Sequence, residues 1–228
     1  EGHLQRVRFQ QGTVPWKELP ADLLLLHHGV VPNVQITRQL GCEHAWYEKQ
    51  RYWEPVLDQW GNTSIENVAV AGDSGRVCGS ANSLLTGRLA ALETARALGK
   101  IDLAQQTALA DPLLKKQDQE LAIRPFLDTL FPPRHPWLVP KNEETLVCRC
   151  EEVRVREIRD AVRLGALSPD RVKPMVRCGM GPCQARMCGL TVSEIIADER
   201  QVSPADVGYF RVRSPIKPVT LGQLTGVE

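Results

Sequence analysis

The chain has 228 residues, 24 % of them charged, with a formal net charge of +1, which allows one or two domains with real cores and gives neither a nucleic-acid footprint nor a disordered acidic tail. Uninterrupted apolar runs are short, as in Leu23 to Leu26, far below the roughly 20 residues that cross a bilayer. The seven cysteines are spaced for metal rather than for disulfides, so a reducing, cytoplasmic compartment is expected, with no signal peptide and no membrane span.

The sequence opens on Glu1-Gly-His-Leu-Gln-Arg-Val-Arg-Phe9, which alternates like a strand. Pro20 to Asn33 then reads as a buried parallel strand, because Leu23-Leu-Leu-Leu26 is continuous rather than alternating, and Gly29-Val-Val-Pro32 closes it in a glycine turn. His27 and His28 end that strand. Without a partner acid or metal-like spacing they read as packing residues, as do His3, His44 and His135. Residues 40–64 carry Trp46, Tyr47, Tyr52, Trp53 and Trp60. We read them as a hairpin packing its rings on a neighbouring domain, in preference to a lid or partner surface, with Asp58-Gln-Trp-Gly-Asn62 as its turn.

From Ile65 a β-rich run passes through Gly72-Asp73 into an Ala/Leu helix that begins near Ser80 to Asn82 and stops at Gly99. Gly72 removes side-chain bulk where backbone must approach a ligand, and Asp73 at the strand edge can accept hydrogen bonds from sugar-like hydroxyls. The helix aims its positive end at the same crevice, which favours an anionic ring there. Leu103 to Leu130 is helical in pattern but interrupted by Pro112 and Pro125. Phe131 to Pro140, with four prolines, reads as an extended connector.

Five of the seven cysteines fall between Cys148 and Cys188. Thiolates this crowded want a soft metal, either tetrahedral zinc or an iron–sulfur cluster, whereas five buried cysteines without metal is the bland alternative. Zinc knuckles pair cysteines two to four residues apart, and Cys148-Arg-Cys150 is tight for that. Glycines in Gly179-Met-Gly-Pro182 let backbone N–H groups approach bridging sulfides, and Pro182 suits a helix opening at Cys183. Cys148, Cys150, Cys183 and Cys188 are therefore chosen as ligands, and Cys178 as a spare thiol or neighbour.

Around them the pattern is helical. Val155 to Leu164 has one apolar face and ends at Gly165; Ser168-Pro169-Asp170 starts a second helix; Thr191-Val-Ser-Glu194 forms a capping box into a third. A module of about 50 residues gains from a metal staple, so removing the metal is expected to unfold it. Arg149, Arg177 and Arg186 either stabilise a reduced cluster or are simply solvated. Arg211, Arg213 and Lys217 form a basic strap expected to dock on this chain or on a partner.

Cys148-Arg-Cys150-Glu-Glu, Arg177-Cys-Gly-Met-Gly-Pro-Cys-Gln-Ala-Arg-Met-Cys-Gly189 and Tyr209-Phe-Arg-Val-Arg-Ser-Pro-Ile-Lys-Pro218 resemble the C-terminal part of a flavoprotein family. It includes the larger subunits of bacterial opine oxidases, hydroxyproline dehydrogenases and hydrogen cyanide synthase. Its last module is similar to bacterioferritin-associated ferredoxin and binds a [2Fe-2S] cluster. The family commonly has glycine where this chain has Ala185, which would add modest strain if the backbone there is left-handed.

The resemblance implies an α/β fold: the C-terminal portion of a two-dinucleotide-binding-domain flavoprotein followed by a small all-α helix-turn-helix [2Fe-2S] domain. It divides the chain into the end of a nicotinamide-type domain (1–40), the returning part of an FAD domain (41–110), a Pro-rich linker (111–147), the cluster domain (148–200) and a basic tail (201–228). The Gly29 to Pro32 turn and Gly72-Asp73 look like the second FAD signature of glutathione-reductase-like flavoproteins, whose aspartate binds the ribityl chain. The implied cofactors are FAD and [2Fe-2S], with NAD(P) or another nucleotide open for the second dinucleotide site. No Gly-x-Gly-x-x-Gly loop occurs in this sequence, so a missing N-terminal half of the same flavoprotein is expected, together with an amine-oxidising partner subunit. The implied reaction is dehydrogenation of a secondary amine such as an opine or imino acid. Cyanide-forming glycine oxidation is an alternative, and a zinc- or cluster-binding interaction module is the non-enzymatic rival.

Overall fold

A computed structural model describes residues 2–27 and 29–226; His28 lies outside them. The alternating start forms β1 (Arg6–Phe9), which pairs antiparallel with β2 (Lys17–Pro20) in a mostly exposed ribbon. The strand expected over Leu23 to Leu26 does not form. These residues have no regular structure, and Leu25 is 82 % exposed. A parallel strand buried on both faces needs strands on either side, and every ladder among the described residues is a two-stranded antiparallel pair.

After α1 (Gln35–Gln39) comes the expected aromatic hairpin, β3 (His44–Tyr47) and β4 (Tyr52–Pro55), with Trp46 opposite Trp53 and Tyr47 opposite Tyr52. Both cross-strand ring pairs have centroids 5.6 Å apart, the spacing at which aromatic pairs add stability beyond burial. Its turn is not Asp58 to Asn62. The chain reverses over residues 48–51, where Arg51 has φ +53° and donates its N–H to the Tyr47 carbonyl at 2.8 Å. Asp58 instead builds a separate turn, its Oδ1 accepting from the N–H groups of Trp60 (2.8 Å) and Asn62 (2.9 Å).

The β-rich run expected from Ile65 shrinks to one bridge, Asn62 with Ala69, followed by a single 3-10 turn over Gly72–Ser74. The helix after it starts where expected: α2 (Ser80–Ala97) ends before Gly99, which takes φ +65°. It packs on α3 (Leu103–Leu121), whose start carries a capping box between Asp102 and Gln105. Pro112 does not interrupt α3, although it lacks the N–H for one helical bond. Packing overrides it: Leu85, Leu89 and Ala110 are buried between the two helices, Gln106 donates to Glu93 at 2.6 Å, and Gln117 donates to Asn82 at 3.1 Å. Pro125 sits in the first turn of α4 (Arg124–Leu130), where its missing N–H costs nothing. The segment 111–147 is thus helical through much of its length, and even the four-proline stretch holds a short helix, α5 (His135–Leu138).

The C-terminal module holds the main apolar core. It comprises β5 (Leu146–Cys148), β6 (Val153–Arg154), α6 (Val155–Arg163), α7 (Pro169–Val176), α8 (Gly189–Arg200) and α9 (Pro204–Val207); a short α10 (Leu221–Thr225) follows in the tail. Val155, Ile158, Val172, Val192, Ile195 and Ile196 are wholly shielded from solvent, in one cluster with Cys148, Cys178 and Cys188. The module is helical but not all-α, because β5 and β6 form a hairpin. Gly165 ends α6 at φ +100°, and Ser168 precedes α7 with Pro169 at its first position, as the sequence implies. Two expectations fail. No helix opens at Cys183, where residues 182–188 form turns, and Thr191 does not cap α8, which begins two residues earlier at Gly189.

Candidate metal centre

Three short turns bring the cysteines together. β5 delivers Cys148 into the core, and the return to β6, with Glu152 at φ +55°, leaves Cys150 at the surface. Arg177, at φ +62°, terminates α7 and turns Cys178 inward. The 179–188 segment then winds through Gly179, Gln184 and Ala185, all at positive φ, into α8.

The Sγ atoms of Cys148, Cys178 and Cys188 lie within 4.8 Å of one another, all buried. Cys150 and Cys183 form a second, outer pair joined by a hydrogen bond. A side chain at Gly181 would place its Cβ 2.2 Å from Cys150 Cβ and 3.3 Å from its sulfur, so only glycine lets the two turns close this tightly. Gly189 has the same role at the other end, where a Cβ would sit 2.3 Å from the Tyr209 hydroxyl.

Electrostatics distinguish the sulfurs. Burial opposes ionisation of Cys183, yet N–H groups of Met187, Ala185 and Arg186, together with the Cys150 thiol, outweigh it and hold the Cys183 thiol below its ordinary range. Successive amides aimed at one sulfur make an anion-binding concavity. Cys188 is the opposite case: its hydrogen bond with Cys178, and then burial, push its thiol well above the ordinary range. A bound cation or cluster would reverse that balance by ionising it. The donor set is all sulfur, backed by amides rather than carboxylates, which suits zinc or iron–sulfur chemistry and not a hard cation.

Of the four sequence-chosen ligands, Cys148 and Cys188 lie in the buried group together with Cys178, the cysteine set aside as spare, whereas Cys150 and Cys183 form the outer pair. The other predicted site residues are divided. Gly29, at φ +108°, lines a cavity of about 660 Å³ with Arg51, Phe131 and Leu190. Pro32 is buried against a cavity of about 350 Å³ with Trp53, Met187 and Tyr209. Their turn therefore faces the cysteine module. Gly72 lines a different cavity, about 120 Å³, with Arg76, Asn82 and Thr86. Its N–H donates to Thr86 Oγ1 at 2.9 Å, and Asp73 accepts from the Ser83 hydroxyl at 2.8 Å, tying the turn to the start of α2.

Of the arginines beside the cysteines, Arg149 is exposed, Arg177 donates to Glu151 at 2.8 Å and Arg186 donates to the Cys183 carbonyl at 3.1 Å. The basic strap is docked on this chain at its start: Phe210 is buried in the core, and the Arg211 N–H donates to Asp170 at 3.0 Å. The histidines are structural where they touch anything. His44 sits between Thr37 Oγ1 (2.9 Å) and the Cys42 carbonyl (2.7 Å), His135 meets Asp198 at 3.1 Å, and His27 accepts from its neighbour Gly29.

Sequence reasoning missed two residues that fix the module's position. Arg51 forks onto Glu194 of α8, and Arg38 stacks between Trp53 (4.8 Å) and Tyr209 (5.0 Å). No spacing rule joins residues 143 positions apart, although Tyr209 stood in the closing motif.

Residues 146–198 match the family of BFD-like [2Fe-2S] binding domains. The chain is thus of mixed α/β fold with a helical C-terminal module that resembles a cluster-binding domain. Over 90 % of its length it is 47 % identical to an opine oxidase subunit of Rhizobium meliloti, covering 39 % of that protein. It is also 27 % identical over 89 % of its length to hydrogen cyanide synthase subunit HcnB of Pseudomonas aeruginosa, covering 43 % of it. Among solved structures it superposes with L-proline dehydrogenase from P. horikoshii at a TM-score of 0.70 and 20 % identity, over 98 % of this chain and 43 % of that one. The chain therefore spans about two-fifths of the length of each of these three proteins. No helix among the described residues is long and apolar enough to cross a membrane.

Proposed function

We propose that this chain is the electron-transferring, cluster-bearing part of a multi-subunit oxidoreductase that dehydrogenates a secondary amine such as an opine or imino acid. Cys148, Cys150, Cys183 and Cys188 are the ligands in this reading, and FAD is the second cofactor. The observation that carries it is a buried group of three cysteine sulfurs, Cys148, Cys178 and Cys188, beside the hydrogen-bonded pair Cys150 and Cys183, with backbone amides aimed at Cys183. The BFD-like match over 146–198 and the likeness to the opine oxidase subunit support the same reading.

A [2Fe-2S] cluster supplies one-electron storage, the step a two-electron flavin needs to pass charge onward singly. The chain's own part is to fix distance, exclude water and set potential. Cys148 and Cys188 do this from inside the core, Cys150 and Cys183 from its rim, and Arg186 lies alongside. Gly72, Asp73 and the start of α2 supply one wall of the flavin site in this proposal. The cavity there is too small to hold a flavin alone. Gly29 and Pro32 belong to the turn between that domain and the module, the amine-oxidising site lies on a partner subunit, and a second nucleotide such as NAD(P) belongs to the other dinucleotide domain.

The likeness to hydrogen cyanide synthase subunit HcnB favours one second reading, glycine oxidation, which differs only in substrate. Anaerobically purified protein tests the cluster: red-brown absorption, two irons per chain and an electron-spin signal on reduction are expected. Zinc without iron, or a colourless protein, would reduce the chain to an interaction module.

A further inference from the structure

All three methionines of the chain, Met175, Met180 and Met187, lie in or beside the second cysteine turn, and all are exposed, at 48 %, 42 % and 63 %. Single exposed apolar side chains are ordinary, but these gather at one edge. Met180 and Met187 stand three residues before and four after Cys183, which is hydrogen-bonded to the exposed Cys150. Methionine is flexible and polarisable, so it suits a surface that meets a partner briefly.

Positive charge accompanies them. Residues 171–193 and 207–219 contain seven arginines and lysines and no aspartate or glutamate, in a chain of net charge +1, so the rest of the chain is net acidic. The fold joins the two stretches. The Phe210 ring packs at Gly179, Lys173 Nζ lies 5.8 Å from the centre of that ring, and the Arg211 N–H is held by Asp170. Nearby carboxylates are largely occupied, Asp170 in this way and Glu151 by Arg177, which leaves Glu152 as the exposed acid of the first cysteine turn.

We propose that this face, with Met180 and Met187 beside Cys183 and with Arg149, Lys173, Arg211 and Arg213 around them, docks an acidic one-electron carrier protein. The inference rests on the electron-transferring role proposed above and names where that transfer ends. One electron leaves the module and the carrier takes it up, with no bond made or broken and no proton moved. Basic side chains steer an acidic partner to the surface and set its orientation. A few flexible methionines, without the aromatic anchors of a tight interface, suit a small contact that releases quickly.

The test is binding of the full chain to two carriers of opposite charge, an acidic flavodoxin and the basic cytochrome c, with iron counted in every sample. The flavodoxin should bind at low salt and weaken at least about tenfold between about 50 and about 500 mM salt, because exposed charges are screened. Cytochrome c should not bind. Arg211→Glu combined with Arg213→Glu should weaken flavodoxin binding about tenfold and flatten its salt dependence. Lys115→Glu combined with Lys116→Glu, the same charge change at exposed positions of α3, should leave both unchanged. Met180→Ser combined with Met187→Ser should lower affinity at every salt concentration, which marks a contact rather than a field. No flavodoxin binding at low salt overturns the proposal, as does cytochrome c binding equally tightly. Equal losses from the Arg211/Arg213 and α3 pairs also overturn it, since net charge alone would then be the cause, and so does unchanged binding in both module variants. Iron-free chain that binds flavodoxin with all these dependences leaves the docking surface standing and sinks the electron-transferring role instead.

Discussion

Arg51 and Glu194 form a two-pronged ion pair across the boundary between the aromatic hairpin and the cysteine module, Nε to Oε1 at 2.8 Å and Nη2 to Oε2 at 2.7 Å. Glu194 is only 2 % exposed, and Arg51 also reaches Glu48 at 2.9 Å. The pair sits one turn into α8, which begins immediately after Cys188, so it clamps the helix that follows that cysteine.

Removing Arg51 leaves a carboxylate buried with no countercharge. Breaking a buried pair in this way costs about 3 kcal/mol, more than exchanging both partners for neutral groups. Arg51→Ala should therefore lower unfolding stability by about that amount, and adding Glu194→Gln should recover most of it. Denaturant unfolding followed by circular dichroism measures both. An Arg51→Ala variant as stable as wild type would mean the pair contributes nothing.

Ala185 tests a smaller balance. It occupies φ +64° and is 2 % exposed, with its carbonyl accepting from Tyr209 at 3.3 Å. The left-handed backbone costs an alanine about 1–2 kcal/mol that glycine avoids. Replacing it by glycine gives up a buried methyl, about 0.8 kcal/mol, and loosens the unfolded chain by about 0.4–1 kcal/mol. These offset, so Ala185→Gly should stay within about 0.5 kcal/mol of wild type. Ala185→Val should lose at least 1 kcal/mol, roughly, because a branched residue resists that backbone and the site has no spare room. Paired thermal melts decide it, and a clearly destabilised glycine variant would mean that methyl packing outweighs strain.

How far the sequence could be read follows from where each element gets its stability. The cysteine turns, α6, α7 and the glycine that ends α2 are written in local chemistry: thiol spacing, apolar periodicity, Ser168-Pro169 and positive-φ glycines. The aromatic hairpin was visible from ring density, but not its turn, because Arg51 takes a positive φ with no glycine to announce it. Leu23 to Leu26 misled because a strand is a property of its neighbours, and the described residues offer it none. Pro112 misled in the other direction, since packing of α2 on α3 tolerates one absent helical hydrogen bond. The capping box at Thr191 failed because Glu194 is spent on Arg51. Sequence placed Gly29 and Pro32 with Gly72 and Asp73, whereas the fold sets the first pair against the module and the second at the start of α2.

The ligand set can be separated by substitution. Cys183 receives the amide cradle, so with the proposed ligand set Cys183→Ser should lose the iron while Cys178→Ser keeps it. Chelating the iron should unfold the 179–188 turn first. The sequence alone implies that the module unfolds without its metal, but the apolar core from Val153 to Ile196 continues behind the turn, so α6 and α8 are expected to remain helical. Hydrogen exchange before and after chelation locates the change. Iron retained by Cys183→Ser, or simultaneous loss of protection throughout the module, would refute this account.

Flavin affinity gives the last prediction. The cavity beside Gly72 measures about 120 Å³, well below the few hundred Å³ that usually enclose a small ligand. Asp73 already accepts from Ser83, and the start of α2 offers one favourable dipole end but no glycine loop to cradle a pyrophosphate. One wall of a site recovers only part of the binding free energy, while the cost of immobilising the ligand is incurred in full. The chain on its own should therefore release FAD during gel filtration, and adding a polypeptide that carries the Gly-x-Gly-x-x-Gly loop should restore retention. Stoichiometric flavin co-eluting with the chain alone would contradict this, and would mean that residues other than Gly72 and Asp73 complete the site.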